Sequence, residues 1–117
     1  MKRRTIIVDL DGCIIKHKES GPHQQWYGSQ QLLPGVKEAF AEWESESACI
    51  VIMTARPECT RKSLERILDH LEIFYEQLIM GVGHGERILI NDSKPFGPKS
   101  AQAWVLPRNE GLVSCMQ

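Results

Sequence analysis

The chain has 117 residues, 42% of them hydrophobic, which suits one globular domain with a modest core and leaves little room for a second. Its 14 Lys and Arg stand against 15 acids, a net charge of -1. That balance provides no global attraction to nucleic acid or to an anionic membrane, so neither is expected as a partner on charge alone.

Met1 to Arg4 open with basic residues, but the apolar run behind them is short and broken by Asp9. No targeting segment or transmembrane span is expected. Cys13, Cys49, Cys59 and Cys115 form no C-x-x-C pair and have no ligand-like spacing with the histidines. Reduced thiols in a cytoplasmic protein fit that pattern.

The first predicted element is a strand. Ile6, Ile7 and Val8 form a continuous apolar run of the kind found in parallel sheets, and it ends in Asp9, Leu10, Asp11 and Gly12. Asp9 and Asp11 then emerge at the carboxyl edge, where open α/β sheets bind ligands. Two carboxylates this close repel unless a cation or a shared proton intervenes, and hard oxygen ligands suit Mg²⁺. A plain turn is the ordinary alternative, since Asp and Gly commonly follow strands.

The polar stretch 16–31 carries His17, His23, Trp26 and Tyr27 with two glycines and a proline, and reads as a flap-like loop or short hairpin over that edge. After Pro34 and Gly35, the spacing of Val36, Ala39, Phe40 and Trp43 predicts a helix. Ala48 to Met53 is a second apolar strand, ending in Thr54, Ala55, Arg56 and Pro57. Pro57 suits the first turn of a helix whose stripe is Leu64, Ile67, Leu68 and Leu71. Thr54 at this junction, with the backbone N–H of Ala55, offers donors to a phosphate near a helix start. A simple helix cap explains the threonine equally well.

Gln77 to Met80 and Arg87 to Ile90 are short apolar segments joined by a glycine-rich link too short for a parallel crossover. They are expected either as an antiparallel hairpin or as non-neighbouring strands with an irregular link. In the second case Asn91 and Asp92 reach the same edge as Asp9 and Asp11, making Asp92 a third acidic ligand; a strand-terminating turn is the alternative. Ala101 to Leu106 is expected as a last edge strand packed by Trp104, and 107–117 as a flexible tail.

Asp9-x-Asp11-Gly12, Thr54 after a second strand and Asn91-Asp92 farther on resemble, in order, the first, second and fourth motifs of the haloacid dehalogenase-like phosphatases. The resemblance runs from about Ile6 to Lys94. It implies a Rossmann-like three-layer α/β sandwich with a mainly parallel sheet, Mg²⁺ dependence, and phosphomonoester hydrolysis through a phosphoaspartate. Carried over, Asp9 is the nucleophile, Asp11 the general acid and base, Thr54 and Ala55 phosphate-orienting. Asp9, Asp11, Asp92 and Asn91 would surround the metal.

Two departures stand out. The family's third-motif lysine has no equivalent between Thr54 and Asn91 except Lys62, one to two turns into the predicted helix and beyond easy reach, so Lys94 is assigned the role, with Arg87 the other candidate. No segment is long enough for a separate cap domain, and such enzymes use an open site or borrow a lid from a neighbouring subunit of a homo-oligomer. His17, His23, Trp26 and Arg56 are then the substrate-contacting candidates. The expected substrate is a phosphorylated sugar or similar small metabolite. A phosphatase for nucleic-acid ends, or a non-catalytic metal-binding partner protein, are the alternatives.

Overall fold

The computed structural model describes residues 3–97 and 99–116. Its centre is a parallel sheet of three strands, β1 (Thr5–Asp9), β2 (Cys49–Met53) and β3 (Gln77–Ile79), in the spatial order β1-β2-β3. The α/β, Rossmann-like expectation holds.

Between the strands run the helices α2 (Val36–Ser45) and α3 (Arg61–His70), each preceding the next strand. Two right-handed crossovers that advance in the same direction place their helices on one face of the sheet. The burial pattern agrees. Val8, Ile52 and Leu78 lie level across the register and are buried with Val36, Ala39, Phe40 and Trp43 of α2 and Leu64 and Leu68 of α3. On the opposite face, Ile7 is 50% exposed and Ile79 38%.

Four expectations are corrected. The 16–31 stretch contains a short helix, α1 (Pro22–Tyr27), whose proline lies in the first turn and whose one buried residue is the polar Gln25. Pro57 is extended and precedes a 3₁₀ turn at Glu58–Thr60, so α3 begins only at Arg61. Arg87–Ile90 forms no strand: Ile88, Leu89 and Ile90 are 76%, 62% and 91% exposed. An apolar run becomes a strand only where an edge pairs with it, and these residues pair with none among the described residues, so the hairpin with β3 is not made. Ala101–Leu106 is likewise irregular, and Trp104 is exposed.

The C-terminal segment is packed rather than loose. Leu112 and Cys115 are buried, Val113–Cys115 forms a 3₁₀ turn, and the Leu112 N–H donates to the Pro34 carbonyl at 2.9 Å. Gly111 makes this possible: its φ is +84°, and a Cβ there would lie 2.0 Å from the Pro34 oxygen. Gln117, the last residue of the expected tail, lies outside the described residues. No helix among the described residues is long and apolar enough to cross a membrane.

Candidate active site

The register brings the sequence motifs to one edge. Asp9 ends β1 opposite Met53, so Asp11 and Thr54 follow at the carboxyl ends of two adjacent parallel strands. Beyond Asp9 the chain folds back tightly: the Cys13, Ile14 and Ile15 N–H groups all donate to the Leu10 carbonyl, at 3.3, 2.9 and 3.1 Å. Gly12, with φ +91°, permits the turn.

Asp9 and Asp11 have different surroundings. The Asp9 residue keeps a solvent-facing side, yet partial burial pushes its carboxyl above the usual aspartate range. The positive charge of Arg87, the Leu10 backbone N–H and the charge of Arg108 pull the other way, while Asp11 adds to the rise. Asp11 is held in a network. Arg56 Nη2 donates to its Oδ1 at 2.7 Å and Nε to its Oδ2 at 3.1 Å. Gln25 Nε2, from α1, donates to the same Oδ1 at 2.7 Å.

The orientation of the Gln25 amide follows from its other contacts. Its Oε1 accepts from the Lys18 N–H at 2.6 Å and its Nε2 donates to the Lys16 carbonyl at 3.0 Å. Flipping it would set acceptor against acceptor and donor against donor. Asp11 therefore meets three donors, two from Arg56 and one from Gln25. Arg56, its side chain 1% exposed, also donates from Nη2 to Gln30 Oε1 at 2.9 Å. The segment 16–31 is thus tied to Asp11 directly through Gln25 and indirectly through Gln30.

Thr54 is buried at 1% exposure. Its N–H donates to the Ile79 carbonyl at 2.9 Å, and its hydroxyl oxygen accepts from the Arg56 N–H at 3.1 Å. Ala55 beside it is half-buried. Its N–H makes no hydrogen bond among the described residues.

The remaining predicted residues are dispersed. Asn91 Nδ2 donates to the Ser100 carbonyl at 3.3 Å, and Lys94 Nζ to Asp92 Oδ2 at 3.0 Å, on an exposed loop. No described contact joins Asn91, Asp92 or Lys94 to Asp9; the cations acting on Asp9 are Arg87 and Arg108. The His23 and Tyr27 rings of α1 meet at a tilt of 53° with centroids 5.2 Å apart, and Trp26 is half-buried beside them. His17 is gripped through its backbone by Asn109, whose Oδ1 accepts from the His17 N–H at 2.6 Å and whose Nδ2 donates to the His17 carbonyl at 2.9 Å. Among the described residues, two buried nitrogens beside this edge have no partner, His17 Nδ1 and Arg56 Nη1. Each is a point that water or a bound molecule would complete.

A divalent cation does not fit this arrangement. Mg²⁺ demands octahedral oxygen coordination, whereas Asp11 is engaged by Arg56 and Gln25, and Asp92 lies with Lys94. Among the described residues no group of three His, Cys, Asp or Glu is gathered to hold a metal.

With this geometry in place, comparison with known proteins adds one finding. The chain shares its fold with part of an RNA repair assembly. It is similar to a chain in a structure of the Pnkp1/Rnl/Hen1 complex, with a TM-score of 0.59 and 21% identity over 74% of this chain and 30% of that one. A chain in a second structure, of the Pnkp1/Rnl/Hen1 RNA repair complex, gives the same TM-score and identity over 73% and 27%. The present chain thus spans less than a third of the chains it resembles. No family model and no curated protein matches it.

Sequence reasoning missed Gln25, Gln30, Arg108 and Asn109. No local pattern marks them, because each acts on a partner distant in sequence or on the backbone.

Proposed function

We propose that the chain hydrolyses phosphomonoesters at Asp9. The observation that carries this reading is the division of labour at the β1 edge. Asp9 faces solvent under the charges of Arg87 and Arg108, while Asp11, two residues on, is locked by Arg56 and Gln25. One carboxylate is open to a ligand and the other is held in place. The order of motifs, which resembles the haloacid dehalogenase-like phosphatases, supports the same assignment.

In this scheme an Asp9 carboxylate oxygen attacks phosphorus, forming an acyl phosphate as the ester P–O bond breaks. The leaving oxygen takes a proton delivered through Asp11, which must be loaded with it before that step. Water then attacks the same phosphorus, gives a proton to Asp11, and releases inorganic phosphate with Asp9 restored. Proton transfer of this kind contributes roughly 10²- to 10⁴-fold. Arg87 and Arg108 offset the repulsion between the Asp9 carboxylate and a phosphate dianion. The Ala55 N–H is the backbone donor assigned to the phosphate. No step is routed through Mg²⁺. A metal site would require Asn91 and Asp92 to leave Ser100 and Lys94 and join Asp9.

Two ester classes suit this edge, a small phosphorylated metabolite and a phosphorylated nucleic-acid end. The likeness to a chain of an RNA repair complex supports the second. The same likeness, with the exposed Ile88, Ile90, Phe96 and Val105, supports association with a partner protein. The test is phosphate release from oligoribonucleotides phosphorylated at either end, and from a panel of sugar phosphates, each with Mg²⁺ or EDTA. Faster release from the oligoribonucleotides supports the nucleic-acid class. Faster release from sugar phosphates returns the assignment to metabolites, and silence across both panels removes the hydrolase reading.

A further inference from the structure

We propose that Arg108, delivered by the C-terminal segment, is a phosphate-binding residue that holds the phosphate of a monoester presented to Asp9. This deepens the hydrolase reading and rests on it for the identity of the ligand.

The geometry begins with the packing of 107–116. The Asn109 N–H donates to the Gly12 carbonyl at 2.9 Å, and the Asn109 amide clamps the backbone of His17. Both anchors belong to the loop that follows Asp9. Between Pro107 and Asn109, the stem of Arg108 is laid across Gly12: a Cβ on that glycine would lie 3.3 Å from Arg108 Cγ. Glycine at position 12 therefore serves both the turn and the passage of the arginine. The far anchor is equally firm, through Gly111 and buried Leu112 against Pro34.

The state of the guanidinium decides what it does there. Of the other cations considered for this site, Arg56 is consumed by Asp11, Lys94 by Asp92, and Arg87 donates to the Gly85 carbonyl at 3.2 Å. Among the described residues no hydrogen bond or salt bridge engages the Arg108 guanidinium, and the residue is exposed. A rigidly anchored backbone with a free planar fork matches what bidentate capture of phosphate oxygens requires. An arginine that served only to balance Asp9 would need no such anchoring.

The experiment is calorimetric titration of inorganic phosphate into the native chain, Arg108→Gln, Arg108→Lys and the control Arg3→Gln, an exposed cation before the opposite, amino end of β1. Loss of a charge-assisted contact predicts affinity weakened roughly 10- to 100-fold in Arg108→Gln. Arg108→Lys should recover part of the loss, and Arg3→Gln should stay within about twofold, as expected for a screened charge at the opposite end of the strand. Because Arg108 is exposed, the thermal midpoint should hardly move. Equal phosphate affinity in Arg108→Gln and the native chain, or no phosphate binding by the native chain, overturns the proposal. Turnover of p-nitrophenyl phosphate by the native chain, measured alongside, reports on the hydrolase reading separately. Arg108-dependent binding without turnover would sustain the site and remove the chemistry, and turnover indifferent to Arg108→Gln would do the reverse.

Discussion

Replacing Gln25 with alanine is the sharpest probe of how the 16–31 segment supports the site. The substitution removes the donor to Asp11 Oδ1, the donor to the Lys16 carbonyl and the acceptor of the Lys18 N–H. A hydrogen bond to a charged group contributes about 1.5–3 kcal/mol and a neutral one about 0.5–1.5, which sums to roughly 2.5–6 kcal/mol if all three are lost without replacement. Asp11 retains 20% side-chain exposure and Lys18 is half-buried, so water recovers part of this. The lower end, about 2–3 kcal/mol, is therefore expected. Against a total stability of about 5–15 kcal/mol, that is readily measured by urea unfolding as a lower midpoint with unchanged slope.

Gln25→Glu separates electrostatics from bond count. It preserves an acceptor for the Lys18 N–H but sets a carboxylate against Asp11. Its deficit should be largest at neutral pH and shrink in acid as one of the facing carboxylates takes a proton. A midpoint within about 0.5 kcal/mol of native for Gln25→Ala, the scatter of ordinary surface substitutions, would refute the claim that α1 is anchored through Asp11.

Asp9→Asn should stabilise the fold at neutral pH in metal-free buffer, because burial raises the Asp9 carboxyl pKa in the folded state. Below the ordinary aspartate range the carboxyl is protonated both folded and unfolded, so the gain should vanish there; it should grow through the interval up to the raised folded value and persist above it. Equal stability of the two proteins by urea unfolding at pH 7 would contradict this. Gly111→Ala should cost more than about 2 kcal/mol, since a positive φ and a carbonyl in the path of the new Cβ act together. Urea unfolding measures it, and a neutral result would show that the tail is not packed as described. Cys13, whose thiol burial pushes up to about 11 with help from the Asp9 and Cys115 charges, should resist iodoacetamide at pH 8. Exposed Cys59 should be modified first, as read by peptide mass spectrometry.

The elements legible in the sequence were those whose period and burial agree. The stripe Val36, Ala39, Phe40 and Trp43 is the buried face of α2, and Ile50, Val51 and Ile52 are buried in β2. The short helix α1 escaped because glycines flank it at positions 21 and 28 and its one buried residue is polar. Ile88 to Ile90 misled in the other direction: hydrophobicity alone cannot say whether a strand edge awaits the run, and here they are exposed. Among the candidate site residues, Asp9, Asp11 and Thr54 were brought to one edge by the β1–β2 register. Gln25 and Arg108 were invisible because a glutamine amide or an arginine gains meaning only from the partner that tertiary structure supplies. For Arg108 that partner is the Gly12 turn, about a hundred residues away in a chain of 117.

The most direct test of the central claim is the rate of phosphate release by native chain and folded Asp9→Asn, assayed together on p-nitrophenyl phosphate and on a phosphorylated oligoribonucleotide. The account predicts turnover by the native chain and its loss in Asp9→Asn. Release that continues undiminished in Asp9→Asn would contradict it.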